Sequence, residues 1–150
     1  EDITSWFVGN FFPRHQINIT ILHRGLKREG ALGYCDIISD VEKNPHRPRN
    51  FLIELDTYMD ERTYTLTLFH ELTHMAQWIR GTLRSRYGKL CYSLEPVNNY
   101  DYLDQPHEIE ARKEEIRLYE RYLNEKQEVP PEEPSQGWCN RLRGGAMITK

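Results

Sequence analysis

Residues 61–80, E-R-T-Y-T-L-T-L-F-H-E-L-T-H-M-A-Q-W-I-R, constrain the fold more than any other stretch of the chain. Leu66, Phe69, Leu72, Met75, Ala76 and Ile79 recur at helical spacing, which predicts an amphipathic helix with one buried side. Asp60 suits the N-cap and Glu61 the first turn; Gly81 suits the residue just past the end, with Arg80 in the last turn. Within this helix His70 and His74 stand four residues apart, so both imidazoles lie on one face, one turn apart. Two neutral imidazoles so placed can take two corners of a zinc tetrahedron. Glu71 lies about 100° round the helix from His70. In this pattern it is not a ligand, and its carboxylate can hold and deprotonate a metal-bound water. A bare five-residue pattern also occurs in ordinary amphipathic helices, so its weight comes from the helical context and from a third ligand elsewhere.

Three strands are expected to feed this helix. Ile17, Ile19 and Ile21 alternate with Asn18, Thr20 and Leu22 over residues 16–23. A second alternation runs over residues 31–39, with Tyr34, Asp36 and Ile38 opposite Cys35 and Ile37. A third runs over residues 51–57, where Phe51, Ile53 and Leu55 alternate with Leu52, Glu54 and Asp56. The segments between them carry Gly25, Gly30, Pro45 and Pro48 and read as turns and loops. Residues 1–15, with Trp6, Phe7, Phe11 and Phe12, read as a short helix or lid over part of the core. The fold class is therefore α+β: a small, mostly three-stranded sheet packed on the helix at about 61–80.

After Gly81 the periodicity fades. Residues 82–105 mix Arg84, Arg86 and Lys89 with Tyr87, Tyr92, Tyr100 and Tyr102 and read as mostly loop with room for a hairpin. Three cations are too few for a single-strand nucleic-acid platform. Residues 106–127 are expected to form a second helix, with Pro106 in its first turn; Ile109, Ile116 and Leu123 recur every seven residues, and Leu118, Tyr119 and Tyr122 widen the stripe. Residues 128–150 hold Pro130, Pro131 and Pro134 among acidic residues and then a tail, so the expected division is a domain over 1–127 and a linker and tail over 128–150.

Composition limits the function classes. Hydrophobic content is 38%, charged content 29%, and no apolar run approaches the ~20 residues that a membrane span needs. A formal charge of −3 gives no global signal for nucleic acid. Cys35, Cys91 and Cys139 are odd in number and far apart, which speaks against a disulfide framework and a cysteine zinc site and favours an intracellular setting. The first residue is Glu1 rather than Met, so a processed form or fragment is expected, and a secreted origin stays open.

A catalytic zinc takes three protein ligands and leaves one position to water. Beyond the motif, the candidates are His15, His23, His46, His107, Glu108 and Glu110. A histidine-extended form of the motif would need glycine at 77 and histidine at 80; this chain has Gln77 and Arg80. With a glutamate from a following helix, the chain resembles the gluzincin class of zinc metallopeptidases. It is similar to the smallest single-domain forms and to short metallopeptidases of phage and bacterial genomes. The resemblance covers roughly residues 50–120. In that class the second helix often carries Glu-x-x-Ala, matched here by Glu108-Ile109-Glu110-Ala111.

The resemblance implies a zincin-like fold, Zn2+ held by His70, His74 and Glu108, and Glu71 as the base that hydrolyses peptide bonds in a protein or peptide substrate. Glu110 is the rival third ligand. His107 keeps a second likeness open, to the SprT class, whose third ligand is a histidine. Arg112 departs from the pattern, where a residue able to orient a histidine ligand is commoner, so another acceptor has to do that work. Tyr100 and Tyr102 are the nearest candidates for an oxyanion donor. The alternative function is a zinc-binding regulatory or anti-repressor-type domain of the same shape with little proteolysis.

Overall fold

The computed structural model describes residues 2–128. Its order is α1 (Ile3–Phe11), β1 (Asn18–Arg24), β2 (Gly33–Ile37), β3 (Asn50–Asp56), α2 (Glu61–Arg80), β4 (Leu83–Arg86), β5 (Lys89–Tyr92), β6 (Glu95–Pro96) and α3 (Pro106–Glu128). The result is a mixed α+β architecture with two small three-stranded sheets and three helices. The three strands expected before α2 and the N-terminal helix all form, with ends shifted by a few residues. None of the described helices is long and apolar enough to cross a membrane. Residues 129–150, which include most of the expected linker and tail, lie outside the described residues.

The contacts divide the chain after Glu120, inside α3. In the last turns of that helix Arg121 Nε donates to Glu125 Oε2 at 2.8 Å, and Lys126 Nζ stands 5.0 Å from the Tyr122 ring centre. The rest of the description concerns residues up to Glu120.

The first sheet runs β1-β3-β2, with β3 central, parallel to β1 and antiparallel to β2. Phe51, Ile53 and Leu55 on alternate positions of β3 are fully buried, as are Phe69, Leu72 and Met75 of α2. Each such side chain contributes roughly 1.5–3 kcal/mol by leaving water. Helix α2 begins and ends as its caps dictate: Asp60 accepts a hydrogen bond from the Thr63 amide at 2.7 Å, and Gly81 closes the helix at φ +83°. Trp6 of α1 meets Phe69 edge-on at 5.7 Å, so α1 covers a side of α2 away from the histidines, and none of its residues lines the cleft described below.

One expectation is extended and one is corrected in part. In residues 82–105 the expected hairpin forms as β4–β5, and the short β6 adds a third strand to make a second sheet, joined by two tight turns. In both turns two consecutive residues have positive φ: Tyr87 (+52°) with Gly88 (+76°), and Ser93 (+49°) with Leu94 (+75°). Two-residue hairpin turns of this kind usually announce themselves by Asn-Gly or Asp-Gly, and Tyr-Gly and Ser-Leu do not. In α3 the stripe is turned outward at Ile109 (37% exposed) and Ile116 (56% exposed), while Leu118, one of the residues that widen it, is buried together with His107, Glu108 and Ala111. The buried side of α3 is therefore the side that carries the polar residues facing α2.

Gly33, at the start of β2, is where the sheet comes closest to Glu71. A Cβ there would lie 2.9 Å from Thr67 Cγ2, 3.1 Å from the Glu54 carbonyl oxygen and 3.1 Å from Glu71 Cγ. Gly33→Ala should therefore destabilise by about 1–3 kcal/mol through overpacking and lower the melting temperature. Gly9→Ala, whose Cβ would meet nothing within 4 Å, should raise it slightly, since alanine is the better helix former. A thermal melt in which both variants match the parent would remove the close-approach argument.

Candidate metal centre

Helices α2 and α3 meet through charge rather than through grease. Glu108 extends from the first turn of α3 and places one carboxylate oxygen on each motif histidine: Oε1 lies 3.0 Å from His70 Nε2 and Oε2 lies 3.2 Å from His74 Nε2. The two imidazoles are edge to face, 4.8 Å apart. One ligand atom each from His70, His74 and Glu108 falls within 4.8 Å of the others, a grouping of the size that can hold a metal ion. Ala111, one turn on from Glu108, is fully buried, and its small side chain lets the two helices approach this closely.

The outer nitrogens of both imidazoles are also held. His70 Nδ1 is 2.9 Å from Glu115 Oε1, and His74 Nδ1 is 2.8 Å from Gln77 Oε1. A carboxylate and an amide oxygen only accept, so each Nδ1 carries the proton in these contacts and each Nε2 faces Glu108. Gln77 is fixed in turn, since its amide nitrogen donates to the His107 carbonyl at 3.0 Å and to Glu110 Oε1 at 2.7 Å. Sequence reading missed both acceptors. Their signals were present: Gln77 is three residues past His74, and Glu115 is seven past Glu108 on the same face of α3.

Other candidates sort clearly. Glu110 faces away from the histidine pair, taking hydrogen bonds from Gln77 and, at 3.3 Å, from the Tyr92 hydroxyl. His107 stands beside the group, its Nε2 3.5 Å from Glu108 Oε2, and its Nδ1 is buried with no hydrogen-bond partner among the described residues. His15 lies against Phe12, His23 bonds the Tyr64 hydroxyl at 2.8 Å, and His46 is exposed, so none of these three joins the cluster. Tyr100 donates to Glu95 at 2.7 Å. Tyr102 lines the cleft, and burial together with the charges of Glu108 and Glu71 raises its phenol pKa. Arg112 reaches the Leu103 carbonyl and takes no part in orienting a histidine.

The cluster opens into a cleft of about 570 Å3, walled by β2 on one side and by Tyr102, His107 and Glu108 on the other. Two carboxylates in it have opposite electrostatics. Burial pushes Glu71 up to about 7, only partly offset by His74 and His70. Glu108 also loses hydration, but the hydrogen bonds from His70 and His74 hold it well below the usual carboxylate range. Burial disfavours the charged form of His70, yet its bonds to Glu108 and Glu115 outweigh that and raise it to about 10. His74 is raised against the same burial by Glu108 and Glu71. Burial lowers His107, which is therefore a neutral imidazole near pH 7.

The donor set suits a divalent transition metal. It offers two imidazole nitrogens and one carboxylate oxygen, with the far side of each ring tied to an acceptor, as ligating histidines ordinarily are. No family model, curated protein or solved structure matches the chain.

The ionised pair between the helices makes a pH prediction for chelator-treated protein. The His70 pKa is raised above its ordinary ~6.5, so its stabilising contribution is full below that pH and is lost as pH rises toward about 10. The urea midpoint of the parent should fall across pH 7 to 10, and its advantage over His70→Gln should shrink over the same range. An advantage that stays constant with pH would remove the charged pair.

Proposed function

We propose that this chain is a zinc-dependent metallopeptidase of gluzincin type, with a zincin-like arrangement of sheet, motif helix and glutamate helix. The observation that carries the reading is the convergence of His70, His74 and Glu108 from two helices, with the other nitrogen of each imidazole already pinned. A helix that merely happened to carry two histidines would have no reason to gather a bidentate carboxylate and two outer acceptors around them.

His70 and His74 would hold the ion through Nε2, and Glu108 through its carboxylate. When bound, zinc supplies Lewis acidity to a water and to a substrate carbonyl. Glu71 makes none of the ion pairs that engage Glu108, is buried beside both histidines and lines the same cleft. Its carboxylate takes the proton of the attacking water and returns it to the leaving amine, and a pKa close to neutral suits a group that must do both. Tyr102 offers the hydroxyl within the cleft for the oxyanion; Tyr100, bonded to Glu95, does not. Strand β2 is an edge of its sheet, and Gly33, Cys35 and Asp36 line the cleft, so an extended peptide can lie along it by strand addition. This supports a peptide substrate over a small ester.

Metal content and affinity test the centre. The purified protein should hold about one zinc per chain, lost in His74→Ala and Glu108→Ala but kept in Glu110→Ala. Gln77→Ala and Glu115→Ala should each weaken zinc affinity roughly 10–100-fold, while Arg112→Ala leaves it unchanged. Zinc kept by Glu108→Ala and lost by Glu110→Ala would move the third ligand two residues along.

Glu71→Gln separates enzyme from scaffold, because it keeps size and hydrogen bonding while removing the base. It should retain zinc and fold but cleave unfolded casein at least about a hundredfold more slowly, the usual scale of general-base catalysis being ~10²–10⁴. Equal cleavage by parent and variant would assign the activity to a contaminant or another base. Zinc binding with no cleavage by either would favour the regulatory reading.

A further inference from the structure

The second sheet has two faces with different roles. Directly paired residues of antiparallel strands share a face. Arg84 pairs with Cys91, Arg86 with Lys89, and Cys91 with Pro96, so these five residues mark one face. Leu83 and Leu90 mark the other and line the cleft beside the histidines. The cationic face is thus the outer surface of a cleft wall.

That outer face carries three features with no role in the centre described above. Among the described residues no carboxylate forms an ion pair with Arg84, Arg86 or Lys89; Arg84 donates to the Gly81 carbonyl, and the Arg86 guanidinium lies 5.9 Å from the Tyr87 ring centre. A shallow groove of about 310 Å3 lies on it, bounded by Arg86 and Lys89, with Cys91, Leu94 and Pro96 as apolar lining and Tyr87 at its end. Finally, the described non-glycine residues with positive φ, Tyr87, Ser93 and Leu94, all belong to its two turns. Left-handed backbone is unfavourable for any residue with a Cβ. Glycine or asparagine would relieve it, yet this chain places a tyrosine 95% exposed and a leucine 66% exposed there. Strained backbone here displays large apolar side chains beside cations that no described carboxylate neutralises.

We infer that the outer face of β4–β6 is a docking groove for an acidic peptide segment with apolar side chains among its carboxylates. Arg86 and Lys89 meet the carboxylates, while Tyr87 and Leu94 cover the apolar side chains. Charge complementarity and the apolar lining between the two cations select this partner. A nucleic-acid strand would call for a longer run of cations and successive aromatic platforms. The groove is separate from the metal cluster, so its occupancy stands or falls independently of the peptidase reading.

The experiment is fluorescence anisotropy of the full-length, zinc-loaded chain with a short dye-labelled peptide rich in Glu and Leu. Parallel probes are the same peptide with Lys for Glu, a single-stranded oligothymidylate, and vesicles containing phosphatidylserine. Saturable binding of the acidic peptide alone is expected, weakening as salt rises. The double variant Arg86→Glu/Lys89→Glu should weaken it at least about tenfold. Tyr87→Gly is the discriminating variant: it relieves the left-handed strain, so the melting temperature should hold or rise while peptide binding falls. Failure of the acidic peptide to bind overturns the proposal, as does equal binding of the lysine peptide or unchanged affinity in both variants. Preferential binding of the oligonucleotide or the vesicles would replace the partner and equally overturn it.

Discussion

The geometry around α2 and α3 depends on where the Glu108 charge goes. A carboxylate buried without a partner costs several kcal/mol, and this one is nine-tenths covered. Its oxygens meet one imidazole each, at 3.0 and 3.2 Å. That sharing fixes the rotation of α3 about its own axis and the depth at which it meets α2. Ala111 must then be small, and Glu115 arrives at His70 from two turns further along. Ile109 and Ile116 are turned to solvent as a consequence. An apolar stripe every seven residues would ordinarily choose the buried face by hydrophobic burial alone. Here a set of charge-assisted contacts, each stronger than a neutral hydrogen bond, shares that role with the buried Ala111 and Leu118.

This explains why the helix containing the motif was legible in the sequence and the face of the second helix was not. In α2, caps, periodicity and motif all agree: Asp60 starts it, Gly81 stops it, and Leu72 and Met75 are buried where the stripe requires. In α3 the apolar period and the polar cluster point to different faces, and only the partner helix determines which prevails. Glu108 could be singled out beforehand because a family resemblance aligned it on Ala111. Gln77 and Glu115 have the right spacing but were passed over, since spacing marks a candidate acceptor for an imidazole nitrogen and only the folded geometry shows that it points there. The second sheet was legible only as a hairpin, and for a local reason. Its turns use Tyr87-Gly88 and Ser93-Leu94, sequences that carry little of the usual turn signature.

Glu71 and Glu108 show how one cleft sets two carboxylates to different tasks. Both are buried to a similar degree, so burial alone would raise both. Glu108 is lowered because two imidazoles donate to it; Glu71 is left near neutrality because they interact with it only through space. Pairs of titratable groups whose environments drive their pKa values apart are a common mark of acid–base sites. In the reading proposed above the division is between a permanent anion that helps to hold the ion and a carboxylate that can gain and lose a proton.

The sheet takes part in that division through Gly33. Because this residue has no side chain, the start of β2 comes up against Glu71 Cγ, and the Glu71 side chain is buried there. Cys35, on the same strand, presents a thiol whose own pKa is driven up by burial and by the Glu71 charge, so it stays a neutral neighbour. An arginine or lysine on that wall would have paired with Glu71 and pulled its pKa down, as His70 and His74 do to Glu108. Among the described residues lining the cleft there is no arginine or lysine. The poised state of Glu71 therefore rests on close packing and on the lack of a directly paired cation, the two imidazoles offsetting burial only in part, and in the reading proposed above the same edge strand is the surface along which an extended peptide would lie.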